Sequence, residues 1–150
     1  MIIARERAYD VWDEIMPLLK AHWHEIAHYK DIPLEPDYSV YKELEDKGAL
    51  RLYVARLDGR IIGYSAYFLR YHPHYKSSLQ AVQDIIYVDP AHRGGVGRRL
   101  IKHCDECLRS EGVQVVYQHM KAANSFGKLL ERMGYELQEL TYSKRLDKEK

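Results

Sequence analysis

Between Tyr87 and Arg98 a β-rich run ends at Asp89-Pro90 and passes, through Arg93-Gly94-Gly95-Val96-Gly97, into a helix beginning near Arg98. Such a junction binds anions. A helix start leaves backbone N–H groups unpaired and carries a partial positive charge, so an anion placed there collects several charge-assisted bonds. Glycines let the main chain approach that anion with no Cβ in the way, and Arg93 and Arg98 add charge at the rim. The junction predicts a layered α/β fold with a phosphate-binding turn at the end of a strand.

The remaining elements arrange themselves around it. A strand over Ile2 to Arg5 precedes a helix over residues 9 to 28, in which Trp12, Ile15, Met16, Leu19, Trp23 and Ile26 recur at helical spacing and Pro17 lies inside. Pro33 and Pro36 break the chain before a shorter helix near Tyr38 to Lys47, stopped by Gly48. Leu50 to Leu57 and Arg60 to Arg70 are β-rich and joined by Asp58-Gly59, a strong hairpin signal. Then come a strand over Leu79 to Val88, a helix over Leu100 to Ser110, a strand over Val113 to Met120, a helix over Asn124 to Met133 and a final strand over Tyr135 to Leu146. This order predicts one α/β domain over residues 1–150, with a mixed central sheet and helices on both faces. The strands at 79–88 and 113–120 are joined by a parallel crossover.

Charge narrows the partners. The 23 Lys and Arg nearly cancel the 22 Asp and Glu, leaving no net field to gather polyanions, so no nucleic-acid partner is expected. No apolar run approaches a membrane span, and the N-terminus lacks a long apolar run behind a basic start. Two cysteines offer no disulfide framework. The expectation is a cytoplasmic protein with no membrane partner.

The glycine turn is not a Walker-type loop, because no Gly-Lys-Ser/Thr follows, and it misses the Gly-x-Gly-x-x-Gly spacing of dinucleotide binders. The run from Val88 to Leu100, with His92-Arg93-Gly94-Gly95-Val96-Gly97-Arg98 at its centre, resembles the acetyl-CoA motif of the GNAT superfamily of N-acetyltransferases. In that family a Gln/Arg-x-x-Gly-x-Gly/Ala turn cradles the pyrophosphate. The order of elements is similar along essentially the whole chain. Pro33-Leu34-Glu35-Pro36, Gly112-Val113-Gln114-Val115-Val116 and Gly134-Tyr135 resemble the small GNAT proteins of bacteriophages. The loop is one residue short after Arg93, which leaves two registers. Aligning Gly95 and Gly97 puts His92 in the Arg/Gln place, whereas aligning Arg93 puts Val96 in place of a glycine.

The resemblance implies the GNAT (acyl-CoA N-acyltransferase) fold, acetyl-CoA as cosubstrate, and direct attack by an amine acceptor, small molecule or peptide. It carries Ile86, Tyr87 and Val88 to the pantetheine arm, His92, Arg93, Gly94, Gly95, Val96, Gly97 and Arg98 to the pyrophosphate, Asn124 to the CoA arm and Lys128 to its phosphates. Asp84 stands four residues before Val88, where many members carry a glutamate base. Strand alternation leaves its face undecided, so a solvated carboxylate is the competing reading. The tyrosine that many members use to protonate the departing thiolate is replaced by Leu130, leaving Tyr142 and Tyr135 as candidates. The family's acceptor cleft is bounded by the end of the first helix and the segment after the third strand, which brings Glu25, His28, His74 and Tyr75 to the acceptor. A homodimer is also implied.

Two rival signals remain. His24-Glu25-Ile26-Ala27-His28 matches the His-Glu-x-x-His zinc-hydrolase pattern, without its Gly-x-x-His continuation and without an evident third ligand. Cys104 and Cys107 share the apolar helix face of Leu100, Ile101 and Leu108, which predicts packing rather than metal or redox chemistry. No metal is therefore expected. The absent tyrosine keeps open a second reading, a GNAT-shaped module that holds CoA or a partner protein without turnover.

Overall fold

The computed structural model describes residues 1–148. Its centre is a five-stranded sheet in the order β1 (Ile2–Glu6), β2 (Leu50–Leu57), β3 (Arg60–His72), β4 (Tyr75–Val88) and β5 (Val115–Tyr117). The first four pair antiparallel and β5 joins β4 in parallel, as the long crossover between them requires. The β2–β3 turn places Asp58 and Gly59 at φ +51° and +81°, the left-handed pair that a two-residue hairpin needs.

Helices cover both faces. α1 (Ala8–Ile26) and α2 (Tyr38–Asp46) bury Ala8, Val11, Ile15 and Leu44 against Leu52, Val54, Tyr64 and Ala66. On the other face α3 (Val96–Ser110) buries Leu100, Cys104 and Leu108 against Tyr53, Tyr67 and Leu69. Successive residues of β2 thus enter opposite cores, the alternation of a sheet buried on both sides. Cys104 is a core residue whose thiol pKa burial pushes up, in keeping with the packing role expected of it. Pro17 sits inside α1 without ending it. Asp37 caps α2 by accepting from the Val40 N–H at 3.2 Å, a contact that stabilises a helix by about 1 kcal/mol.

Four expectations need correction. α3 begins at Val96 rather than Leu100, because Gly95 is its left-handed N-terminal residue and a helix needs no side chain there to start. The strand expected over 113–120 is only Val115–Tyr117, since β5 leaves β4 after three pairs. The helix expected over 124–133 divides into a 3₁₀ turn, Ala122–Asn124, and α4 (Gly127–Arg132). Residues 135–146 form no strand: they are unpaired, and Tyr29 Oη meets Ser143 Oγ at 2.8 Å while Arg145 pairs with Asp31, tying the segment to the chain after α1.

Candidate active site

Asp84 owes its position to an irregularity in β4. Ala66 pairs with Ile85 and Tyr67 with Gln83, so Asp84 is the extra residue of a β-bulge. The faces record the same event: Leu79 and Ala81 pack toward α3, whereas Ile85 and Tyr87, of the same parity, pack toward α1. Asp84 and Ile85 therefore line one pocket beneath α1 and α2 as consecutive residues. Ser65 Oγ donates to the Ile85 carbonyl at 3.2 Å, supplying a bond beside the interrupted ladder.

The Tyr41 hydroxyl of α2 donates to Asp84 Oδ2 at 2.6 Å. Apolar walls raise the Asp84 pKa from its ordinary carboxylate value, and the Tyr41 bond lowers it in part. Much of the Asp84 surface faces the open mouth of the pocket. The upward direction nonetheless follows from the side chains that ring the carboxylate, which exclude water from its flanks. A carboxylate of raised pKa beside a cleft is suited to taking a proton near neutral pH.

Beside the bulge the sheet opens. β4 and β5 pair from Gln80–Val115 to Val82–Tyr117, and no further pairing between them occurs among the described residues. Gln83 Oε1 accepts from the His119 N–H at 2.7 Å and bridges the strands where they part. Sequence reasoning passed over Gln83, whose buried amide in a β-rich run carries no motif. Ile86, Tyr87 and Val88 continue β4 past the parting and lead to the glycine turn.

In that turn Gly94 and Gly95 take φ +116° and +103°, values that L side chains rarely adopt. Gly97 is the second residue of α3, and a Cβ there would first meet Val88 Cγ2 at 4.0 Å. The N–H groups of the first turn of α3 thus face a surface with little side chain over it. His92 ends a 3₁₀ turn, Pro90–His92, and its Nδ1 is buried without a hydrogen-bond partner among the described residues. Arg98 is exposed.

Arg93 is committed elsewhere. Its guanidinium donates to both Glu25 oxygens at 2.8 Å and its Nε to the Val88 carbonyl at 2.9 Å, while the group lies over the Tyr87 ring. It also holds the Glu25 carboxyl below its ordinary value. His22 stacks on Tyr87 at 4.8 Å, and burial pushes its pKa down to about 4. The His22–Tyr87–Arg93–Glu25 cluster fastens the end of α1 to the end of β4.

This geometry alters the expected acceptor wall. Glu25 is occupied by Arg93, and His28, exposed, packs edge-on against Tyr29. His74 and Tyr75 stand at the β3–β4 hairpin, the far end of the fourteen-residue β4. An extended strand of that length spans roughly 45 Å, so the two groups do not share one cleft. The zinc pattern dissolves for a related reason: α1 ends at Ile26, which removes His28 from the helical turn that would align it with His24. No group of three or more His, Cys, Asp or Glu side chains with metal-site geometry occurs among the described residues.

Candidates for the acid are likewise displaced. Leu130 is buried in the core, Tyr135 Oη donates to Asp105 at 2.5 Å, and Tyr142 is 91% exposed on the C-terminal segment. Asn124 and Lys128 are exposed, the first ending its 3₁₀ turn and the second in α4.

A mixed sheet that parts beside a bulged strand, with a glycine-led helix at its end, offers a place for an acyl-CoA thioester and its phosphates. Residues 48–137 match the family model described as an acetyltransferase (GNAT) domain. The chain belongs to the GNAT acetyltransferases, whose members in general draw on acetyl-CoA and act on amines. No curated protein matches the sequence. Among solved structures it is similar to an aminoglycoside acetyltransferase from an uncultured soil metagenomic sample, in complex with sisomicin, at 18% identity and TM-score 0.75 over 97% of this chain and 96% of that one. It is also similar to a ribosomal-protein-alanine N-acetyltransferase from Brucella melitensis biovar Abortus 2308, at 23% identity and TM-score 0.71 over 97% and 100% of the two chains. A putative acetyl transferase from Pyrococcus furiosus matches at 18% identity and TM-score 0.73 over 97% and 99%. At these identities the likenesses carry the fold. No helix among the described residues is long and apolar enough to cross a membrane.

Proposed function

We propose that this chain, as one domain over residues 1–150, transfers the acetyl group of acetyl-CoA to a primary amine by direct attack, with Asp84 as the base. The observation that carries the reading is the β4 bulge, which sets a carboxylate of raised pKa beside the place where β4 and β5 part. The residues fit the cosubstrate: the edge of β4 at Ile86, Tyr87 and Val88 that β5 leaves uncovered would hold the pantetheine arm, and the bare first turn of α3 its pyrophosphate. Gly95 and Gly97, as N-terminal and second helical residues of α3, favour the register in which His92 takes the family's Arg/Gln place. Arg98, Asn124 and Lys128 are exposed and free to add charge and hydrogen bonds at the rim.

Acetyl-CoA supplies the activated thioester. The amine nitrogen forms a bond to the carbonyl carbon, the C–S bond breaks, and the nitrogen's proton passes to the Asp84 carboxylate. An unpaired β4 N–H steadies the developing oxyanion. The thiolate takes its proton from water, because Leu130 in the family's tyrosine place has no proton to give, Tyr135 is bonded to Asp105 and Tyr142 is exposed on the C-terminal segment. Thiol release from acetyl-CoA with amines tests the reading. Asp84→Asn should lower kcat by roughly 10²-fold or more with acetyl-CoA affinity kept, and equal turnover would discard Asp84 as base.

Setting follows from other features. Two free cysteines, one of them buried, fit a reducing cytoplasm, and the segments quoted above support kinship with bacteriophage members. A homodimer is supported by two unpaired parts of one chain: β5 has a free outer edge, and the 135–146 segment exposes Leu137 (79%) and Leu146 (88%). In this reading each completes the other between two copies.

A further inference from the structure

The pocket at the bulge is narrower in chemistry than an amine site requires. Trp12, Met16 and Leu19 of α1 face Leu52 and Ile85 of the sheet across it. Apart from the Trp12 indole N–H, the polar groups of this lining belong to Asp84, Tyr41 and Tyr64. No lysine or arginine enters it, so the Asp84 charge stands alone among apolar and aromatic walls.

Two polar atoms there lack side-chain partners. Tyr41 occupies Asp84 Oδ2, and among the described residues no side chain reaches Oδ1. Tyr64 is 1% exposed, and its hydroxyl has no hydrogen-bond partner among the described residues. Tyr64 and Asp84 line the same pocket, and burial first, then the neighbouring Tyr87 and Asp84, push the Tyr64 phenol pKa up. A buried hydroxyl left unbonded bears its full desolvation cost, and a ligand atom that bonds it recovers that cost.

Resting on the acetyl-transfer reading above, we infer that this pocket is the acceptor site and selects primary amines with an apolar alkyl or aryl body, the nitrogen bonded by Asp84 Oδ1 and the Tyr64 hydroxyl. A polyamine would bring further cations against Trp12, Met16 and Leu19 with no second carboxylate to meet them. An amino sugar would bring hydroxyls that find no partners on those walls. An alkyl or aryl body gains from the same surface by leaving water.

The experiment measures thiol release from acetyl-CoA with phenethylamine, hexylamine, spermidine and glucosamine, in the full chain and in Tyr64→Phe. The two apolar amines should exceed spermidine and glucosamine in kcat/KM by about tenfold or more. Tyr64→Phe, which removes an unbonded oxygen from a buried site, should raise the phenethylamine KM several-fold while kcat and acetyl-CoA affinity hold and the melting temperature does not fall. Spermidine or glucosamine turned over as well as phenethylamine would overturn the acceptor class and leave acetyl transfer standing. Should no amine turn over, phenethylamine is titrated calorimetrically into CoA-saturated protein. Saturable binding weakened by Tyr64→Phe upholds the pocket, and no binding overturns it. Failure of acetyl-CoA itself to bind is the separate outcome that removes the underlying reading and this inference with it.

Discussion

Asp84 must be ionised to accept a proton, so activity should rise with pH through its pKa. That pKa lies above the ordinary carboxylate value because of the apolar walls, and the Tyr41 hydroxyl draws it back down. Tyr41→Phe removes the lowering contact, so the acidic limb of the kcat/KM profile should move to higher pH. A limb that stays in place would separate Tyr41 from the base. His22 gives a second pH effect, on stability. Its folded pKa of about 4 lies below the ordinary 6.5 because burial disfavours the charged ring. The unfolded chain then takes up the proton first as pH falls, so the stability held above pH 6.5 is lost on the way down to pH 4. The loss is up to roughly 3 kcal/mol. His22→Phe keeps a ring against Tyr87 and should flatten the melting temperature across this interval. Parallel curves for the two proteins would show that His22 does not titrate this way.

Among the elements, those with strong local chemistry were legible in the sequence. Asp58-Gly59 fixed a hairpin, Gly48 stopped α2, and the spacing of Ile15, Leu19 and their neighbours marked α1. The glycine turn was placed correctly at the strand-to-helix junction. The β4 bulge was not legible, because it arises from pairing with β3 and leaves no mark on the residues themselves. The face of Asp84 therefore became clear only with the sheet assembled. His24-Glu25-Ile26-Ala27-His28, set aside in the sequence for want of a third ligand, has helical spacing, but the helix stops at Ile26. Arg93 was read as a phosphate ligand from its place in the motif, whereas its partner Glu25 is distant in sequence. Arg93→Met should lower thermal stability by about 1 kcal/mol, through the Val88 carbonyl and Glu25 contacts it removes, and leave acetyl-CoA affinity nearly unchanged. A large loss of affinity at unchanged stability would return Arg93 to the phosphates.

At the scale of the whole molecule, the C-terminal segment and the cofactor face are the surfaces on which the proposed dimer and cosubstrate depend. The expected last strand pairs with no other strand among the described residues, and its leucines face water. Light scattering after size exclusion should give twice the chain mass at micromolar concentration, and Leu137→Asp with Leu140→Asp should return the monomer. A monomeric parent protein would remove the proposed dimer. The seat of acetyl-CoA on the first turn of α3 is the claim on which the rest depends, and calorimetric titration of Gly97→Glu tests it most directly. Gly97 has ordinary helical backbone and room for a side chain, and a carboxylate in the first turn of a helix favours the fold. Gly97→Glu should give a folded protein, at least as stable as the parent, that no longer binds acetyl-CoA because its carboxylate occupies the pyrophosphate's place. A folded Gly97→Glu protein that binds acetyl-CoA as tightly as the parent would contradict that claim.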